Sequence, residues 1–366
     1  MPFRSNYLII FFALITLHAC YNTSNNANVM CKTYNNNVNC SKEGLNLGMS
    51  FPPIQNSYQR DLTQTYLKDL AIKKIRFEVH WDLREPIKNN FNWTPLDERL
   101  LWTQNEGLEV LLTIGAKAPD WACTLIKNNQ SCIYKSSNDL KNFIDTLLIR
   151  YSNQIARIQY ANEWQNDFGF IGSKENFVTY NNILFSSVGI NSPTTKVVLG
   201  GFSIGAIRTL TSCAGKISSY YQDDGYYDSK RIKEICTSLT MQEIKNKIDH
   251  ILLNANYDLV DLHFYDDVEN WQTYFNHLAT LVTKPIIVSE FGGPHLLFEL
   301  YNEDYQASRL AEYIETLKKI GVSGAYFFKL VATSSAHPPH AESGLLKNGT
   351  LGKKISYYIF KGYSNP

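Results

Sequence analysis

The sequence predicts one α/β domain of the (β/α)8 barrel type, on three observations. From about residue 45, short apolar runs rich in β-branched residues alternate with longer stretches of helical period, and there are eight such runs. No GxGxxG or Walker pattern follows an early run, which weakens the case for an open nucleotide-binding sheet. The 366 residues, 44% of them hydrophobic, suffice for one large domain with a sizeable core. Eight strand and helix units in one chain of this size favour closure into a barrel.

The strands read NLGMSF from Asn46, KIRFEVHW from Lys74, EVLLTIG from Glu109 and ARIQYANEW from Ala156. They continue as KVVLGGFS from Lys196, DLVDLHFYD from Asp258, PIIVSEFG from Pro285 and GAYFFKLV from Gly324. Between them lie amphipathic stretches such as DLTQTYLKDLAI, PLDERLLWTQNEG and DYQASRLAEYIETLKKIG, the last stopped by Gly321. After the fifth strand, residues 204–240 read as an irregular insertion with the Tyr-rich SSYYQDDGYYD. A loop there lies over the ligand face of a barrel and reads either as a groove wall or as an ornamental surface loop.

The barrel is assigned to residues 45–366, preceded by two short segments. Arg4 and the apolar run from Tyr7 to Leu17 have the size of a signal-peptide core, so residues 1–19 are expected to be removed. Leu17-His18-Ala19-Cys20 resembles a bacterial lipobox, which makes Cys20 the expected lipidation site and the membrane a partner through that anchor. Residues 20–44, polar and Asn-rich at their start, read as a tether. The expected location is an outer-membrane or cell-surface lipoprotein, or otherwise the periplasm or medium.

Six cysteines remain, in three pairs close in sequence: Cys31 with Cys40, Cys123 with Cys132, and Cys213 with Cys236. In an exported chain they read as three local disulfides. No Cys/His spacing suggests zinc, and His337 and His340 in HPPH read as a rigid turn, so no metal or cofactor is assigned. Lysine plus arginine (35) nearly balance aspartate plus glutamate (34), so no net field draws the chain to nucleic acid. A monomer is expected.

Glu163, in QYANEW, and Glu290, in IIVSEFGG, sit at the carboxyl ends of the fourth and seventh strands. Charged residues there face the ligand side of a barrel. Two such carboxylates suit glycoside hydrolysis, where one protonates the leaving oxygen and the other attacks the anomeric carbon. Asn162-Glu163 and Glu290 on these strands resemble the pattern of clan A glycoside hydrolases, the superfamily of cellulase-like family 5 and of family 39. PIKNNFNWTPLD and TIGAKAPDW are also similar to segments of such members.

The resemblance implies retaining hydrolysis of a β-linked carbohydrate, with Glu163 as general acid/base and Glu290 as nucleophile. It implies that Tyr265 hydrogen-bonds the nucleophile, Arg76 supports it, and Asn162 meets the sugar 2-hydroxyl. His263 shares the parity of Tyr265 and points to the same side. Trp81, Trp121 and Trp164, at or just past strand ends, are candidates for stacking on sugar rings or for core. The clan's usual Trp after the eighth strand is missing, and Phe327, Phe328 and Lys329 stand there instead. Transglycosylation on the same scaffold, and glycan binding by a decayed barrel, are the alternatives.

Overall fold

The structure is a computed structural model that describes residues 45–366 except 128–130, 223–224, 266, 294–301, 323, 333–339, 341 and 365–366, with the backbone of 30–34 and 37–41. It separates into two units, one ending at Glu43 and a barrel from Gly44 onward. In the first, Met30–Tyr34 pairs antiparallel with Asn37–Ser41, and the backbone register sets Cys31 opposite Cys40. The stretch read as a tether therefore holds a hairpin. Cys20 and the side chains of Cys31 and Cys40 lie outside the described residues.

Eight parallel strands close the barrel in sequence order. They are β1 (Asn46–Ser50), β2 (Lys74–Val79), β3 (Glu109–Ile114), β4 (Arg157–Tyr160), β5 (Lys196–Phe202), β6 (Leu259–Tyr265), β7 (Ile286–Gly292) and β8 (Gly324–Phe327). Helices form the outer layer, and local chemistry sets their ends. Asn56 accepts from the Gln59 amide to start Ser57–Asp69, a Ser173/Asn176 capping box starts Lys174–Asn191, and Gly321 at φ 80° ends Glu303–Ile320.

Strand alternation divides the core. On β3, Val110, Leu112 and Ile114 belong to the large cluster shared with the helices, whereas Leu111 joins Val198, Ile287 and Tyr326 in a separate buried cluster. This inner cluster plugs the barrel, each aliphatic member contributing about 1.5–3 kcal/mol by burial. Gly48 makes room for it, because a Cβ there would lie 2.6 Å from the Tyr326 ring. One inward step further along the strands the interior turns polar, with Ser50, Arg76, Thr113, Asp261, His263 and Ser289 all buried. The plug is thus the floor of a polar chamber.

The insertion is ordered where sequence suggested an irregular loop. It contains a helix, Ile204–Cys213, capped by Ser203, then a ribbon of Tyr220–Gln222 and Gly225–Tyr227, then a helix, Ser229–Thr237. The Cys213–Cys236 disulfide ties the two helices together, and Cys123–Cys132 ties the ribbon of Cys123–Lys127 and Ser131–Tyr134. Both pairings match the sequence expectation. Among the described residues no helix is long and apolar enough to cross a membrane.

Candidate active site

The polar chamber is organised around Arg76, which β2 projects inward and which is fully buried. Its guanidinium donates to Glu290 Oε1, to Asn162 Oδ1 at 2.6 Å and to Thr113 Oγ1 at 3.1 Å. A guanidinium's fixed fork suits this task, since one side chain orients partners from β3, β7 and the loop after β4. Across the barrel, the Tyr265 hydroxyl donates to Glu290 Oε2 at 2.5 Å. Both oxygens of Glu290 are therefore held.

A bulge in β7 brings Glu290 inward. Strict alternation from Ile287 would send Ser289 inward and Glu290 outward, but the pairing with β6 slips between Leu262 and His263 so that His263 faces Glu290. One extra residue in a strand re-aims the next side chain. Ser289 remains buried, its hydroxyl bonded to Asp261 Oδ2 at 2.5 Å.

Glu163 arrives differently, from the loop beyond β4. Ala161 at φ 60° and Glu163 at φ 46° are left-handed non-glycine residues, a conformation that surrounding packing must sustain. Gly169 closes over this turn, where a Cβ would lie 2.0 Å from the Asn162 carbonyl oxygen. His263 Nδ1 lies 2.7 Å from Glu163 Oε1 and 3.7 Å from Glu290 Oε2, while Nε2 lies 3.4 Å from Asp261. One atom each of Glu163, His263 and Glu290 fall within 4.8 Å of one another.

Electrostatics fix the charge states of the inner pair. Burial alone would raise the Glu290 carboxyl, but the His263 and Arg76 charges and the Tyr265 hydroxyl outweigh it, lowering its pKa to about 2. Burial likewise opposes a charged imidazole, yet Glu290 and Asp261 raise His263 to about 10. His263 is then a double donor, directing Nδ1–H at Glu163. The stability that Glu290 contributes is lost as pH falls through about 2, and that of His263 as pH rises through about 10. Gly201 on β5 leaves space for this imidazole, since a Cβ would lie 2.2 Å from His263 Nε2. Glu163, Glu290 and His263 also have the spacing of metal ligands, but Arg76 and Tyr265 already occupy the Glu290 oxygens, and the set reads as a hydrogen-bonded network around Glu290.

The structure brings together Glu163, Glu290, Arg76, Asn162, His263 and Tyr265, and it corrects the tryptophans. Trp164 is fully buried, packs on Phe177 and donates to the Gly200 carbonyl at 2.7 Å, because the left-handed turn at Glu163 sends the following side chain into the helix layer. Trp81 is also fully buried, because it opens the helical turn Trp81–Arg84, which lays it on Phe143. Neither is available to a sugar. Trp121 is half-buried, donates to the Glu85 carbonyl at 3.1 Å and has Lys88 over its ring. It is not among the residues that line the cleft beside Asn162.

Sequence reasoning missed Asp261 and Ser289 behind His263, and Glu78 beside Arg76. Parity was the available signal for Asp261 and Glu78, each two residues from an identified inward residue. Phe328, half-buried just past β8, packs edge-on to Phe51 and Tyr265, and the His340 ring stands 4.8 Å from both Phe328 and Tyr265. His337 lies outside the described residues.

No protein-family model and no curated protein matches the chain. Among solved structures, a family 39 glycoside hydrolase from Bacteroides cellulosilyticus WH2 superposes with TM-score 0.60 at 14% identity, over 88% of this chain and 64% of that one. A glucosidase from Croceicoccus marinus gives 0.63 at 11% identity, over 88% and 67% of the two chains. A subfamily 18 member of glycoside hydrolase family 5 from Bifidobacterium longum, in complex with Manβ1-4GlcNAc, gives 0.60 at 11%, over 87% and 78%. This chain spans just under two thirds of the family 39 enzyme's length. At these identities the likeness establishes the shared barrel.

Proposed function

We propose that this barrel is a retaining glycosidase acting on a β-linked glycan by double displacement. The observation that carries the reading is the spacing of the two glutamates. One oxygen of each lies within 4.8 Å of the other, in keeping with the roughly 5 Å between the carboxyl groups of retaining enzymes rather than the roughly 6.5–9.5 Å of inverting ones. Glu290, held ionised, attacks the anomeric carbon while Glu163 protonates the departing oxygen. Glu163 then takes a proton from the water that releases the sugar.

The remaining residues have parts in this scheme. His263 donates to one oxygen of Glu163, leaving the other to carry the transferred proton. Asn162, bonded by Arg76, takes the 2-hydroxyl in this scheme, and Phe328 offers an aromatic face where the clan usually has an indole. The neighbours support the bond type, since the family 5 structure carries a β-linked disaccharide and another neighbour is an exo-β-1,4-mannosidase. Proton NMR of the first product released from an aryl β-glycoside should show the β-anomer. Initial release of the α-anomer would overturn the mechanism.

The same reading places the enzyme outside the cytoplasm on a lipid anchor, supported by the lipobox-like Leu17–Cys20 and by two disulfides in the barrel unit. Metabolic labelling with a clickable fatty acid should tag the wild type and leave Cys20→Ser unlabelled. Equal labelling would refute the anchor.

A further inference from the structure

A cavity of about 390 Å³, a size within the range of small-ligand sites, is lined in part by Asn162, the residue before Glu163. Its polar lining includes Glu78, His80, Asp82 and Lys117, and Phe168, 44% exposed, stands at its edge. Glu78 projects inward from β2 two residues after Arg76. Its carboxylate rests over bare backbone at the end of β3, because a Cβ on Gly115 would lie 2.3 Å from Glu78 Oε1. Among the described residues the Glu78 oxygens accept no hydrogen bond, the His80 ring Nε2 standing 3.6 Å from Oε2; burial pushes the carboxyl up, against the pull of His80 and Arg76. Asp82, by contrast, is paired with Lys117 at 2.8 Å.

The wall therefore presents a carboxyl group whose oxygens accept no hydrogen bond from the described residues, next to an ion pair whose charges cancel. Two geminal oxygens match two neighbouring sugar hydroxyls, which donate to them, and the Phe168 face suits the C–H side of a pyranose. A ligand carboxylate would instead meet Glu78 as a like charge in a partly desolvated pocket. We infer that this cavity is the subsite for an uncharged sugar unit of the substrate, gripped through its hydroxyls by Glu78, and that it rejects uronic acids. The inference rests on the glycosidase reading.

The test uses the full chain carrying Glu163→Gln, so that glycans bind without turnover. An array of neutral β-glucans, β-mannans, β-xylans and β-galactans is probed beside pectate, alginate and glucuronan. Neutral glycans should bind and the polyuronates should not. Adding Glu78→Ala should weaken neutral binding by about ten- to a hundredfold, the worth of hydrogen bonds to a charged group. Gly115→Ala, which displaces the carboxylate without deleting it, should weaken binding in the same direction. Glu78→Gln, which removes the charge and keeps one acceptor, should narrow the gap between neutral glycans and polyuronates.

Preference for a polyuronate, absence of any glycan binding, or binding unchanged in both Glu78→Ala and Gly115→Ala would overturn the inference. The two readings fail separately. A wild type that turns over neutral aryl β-glycosides with a KM indifferent to Glu78→Ala sinks the subsite alone. Neutral-glycan binding that depends on Glu78, without turnover of any substrate, sinks the glycosidase reading instead.

Discussion

Glu290→Gly should lower turnover of every glycoside by roughly 10⁴-fold or more, because it removes the carboxylate that, in the double-displacement scheme, forms the covalent bond to the sugar. The variant should be rescued by azide, for a reason specific to this site. Glycine removes the carboxylate that Arg76 bonds and whose charge raises His263, leaving the buried Arg76 guanidinium facing an emptied space. A small anion has both the room and the charge to settle there. Azide should therefore raise the variant's melting temperature as well as its rate, and its attack from the nucleophile's side should yield the α-glycosyl azide. Substantial residual turnover without azide, or a β-glycosyl azide, would show that Glu290 is not the nucleophile.

Glu163→Ala should divide substrates by leaving group. With alkyl or sugar leaving groups the loss should reach about 10²- to 10⁴-fold, the usual worth of a positioned general acid. With a dinitrophenyl leaving group, which departs without a proton, formation of the glycosyl-enzyme should be nearly spared. Its breakdown should then become limiting, since the water lacks its base, and a burst of phenolate followed by slow turnover is expected in stopped-flow. Equal losses across the leaving-group series would assign the acid/base role elsewhere.

The strands were legible because period-two apolar runs recur at helix-long intervals, and the polar chamber because inward parity can be counted. Parity set His263 beside Tyr265, whereas Arg76 and Tyr265 themselves came from the family resemblance, and all three reach the glutamates. Parity fails where a strand breaks register. The bulge that turns Glu290 inward and buries Ser289 depends on pairing with β6, which no local window contains. Directions beyond strand ends were equally hidden. Trp81 and Trp164 stand one position past polar residues at strand tops, but a helical turn in one case and a left-handed residue in the other rotate them into the helix layer. In residues 204–240, Ser203 and a ten-residue helix were obscured by the polar, Tyr-rich stretch that follows.

The plug of Leu111, Val198, Ile287 and Tyr326 bears on traffic. It closes the barrel beneath the polar chamber, so reactants and products pass on the side where the strands end. In the double-displacement scheme, the water that frees the sugar must arrive through the space the leaving group has just vacated. A second sugar waiting in that space competes for the same bond. Whether the outcome is hydrolysis or a longer glycan is then decided by occupancy at the rim, where acceptor concentration and residence time act, and not by the paired glutamates at the bottom.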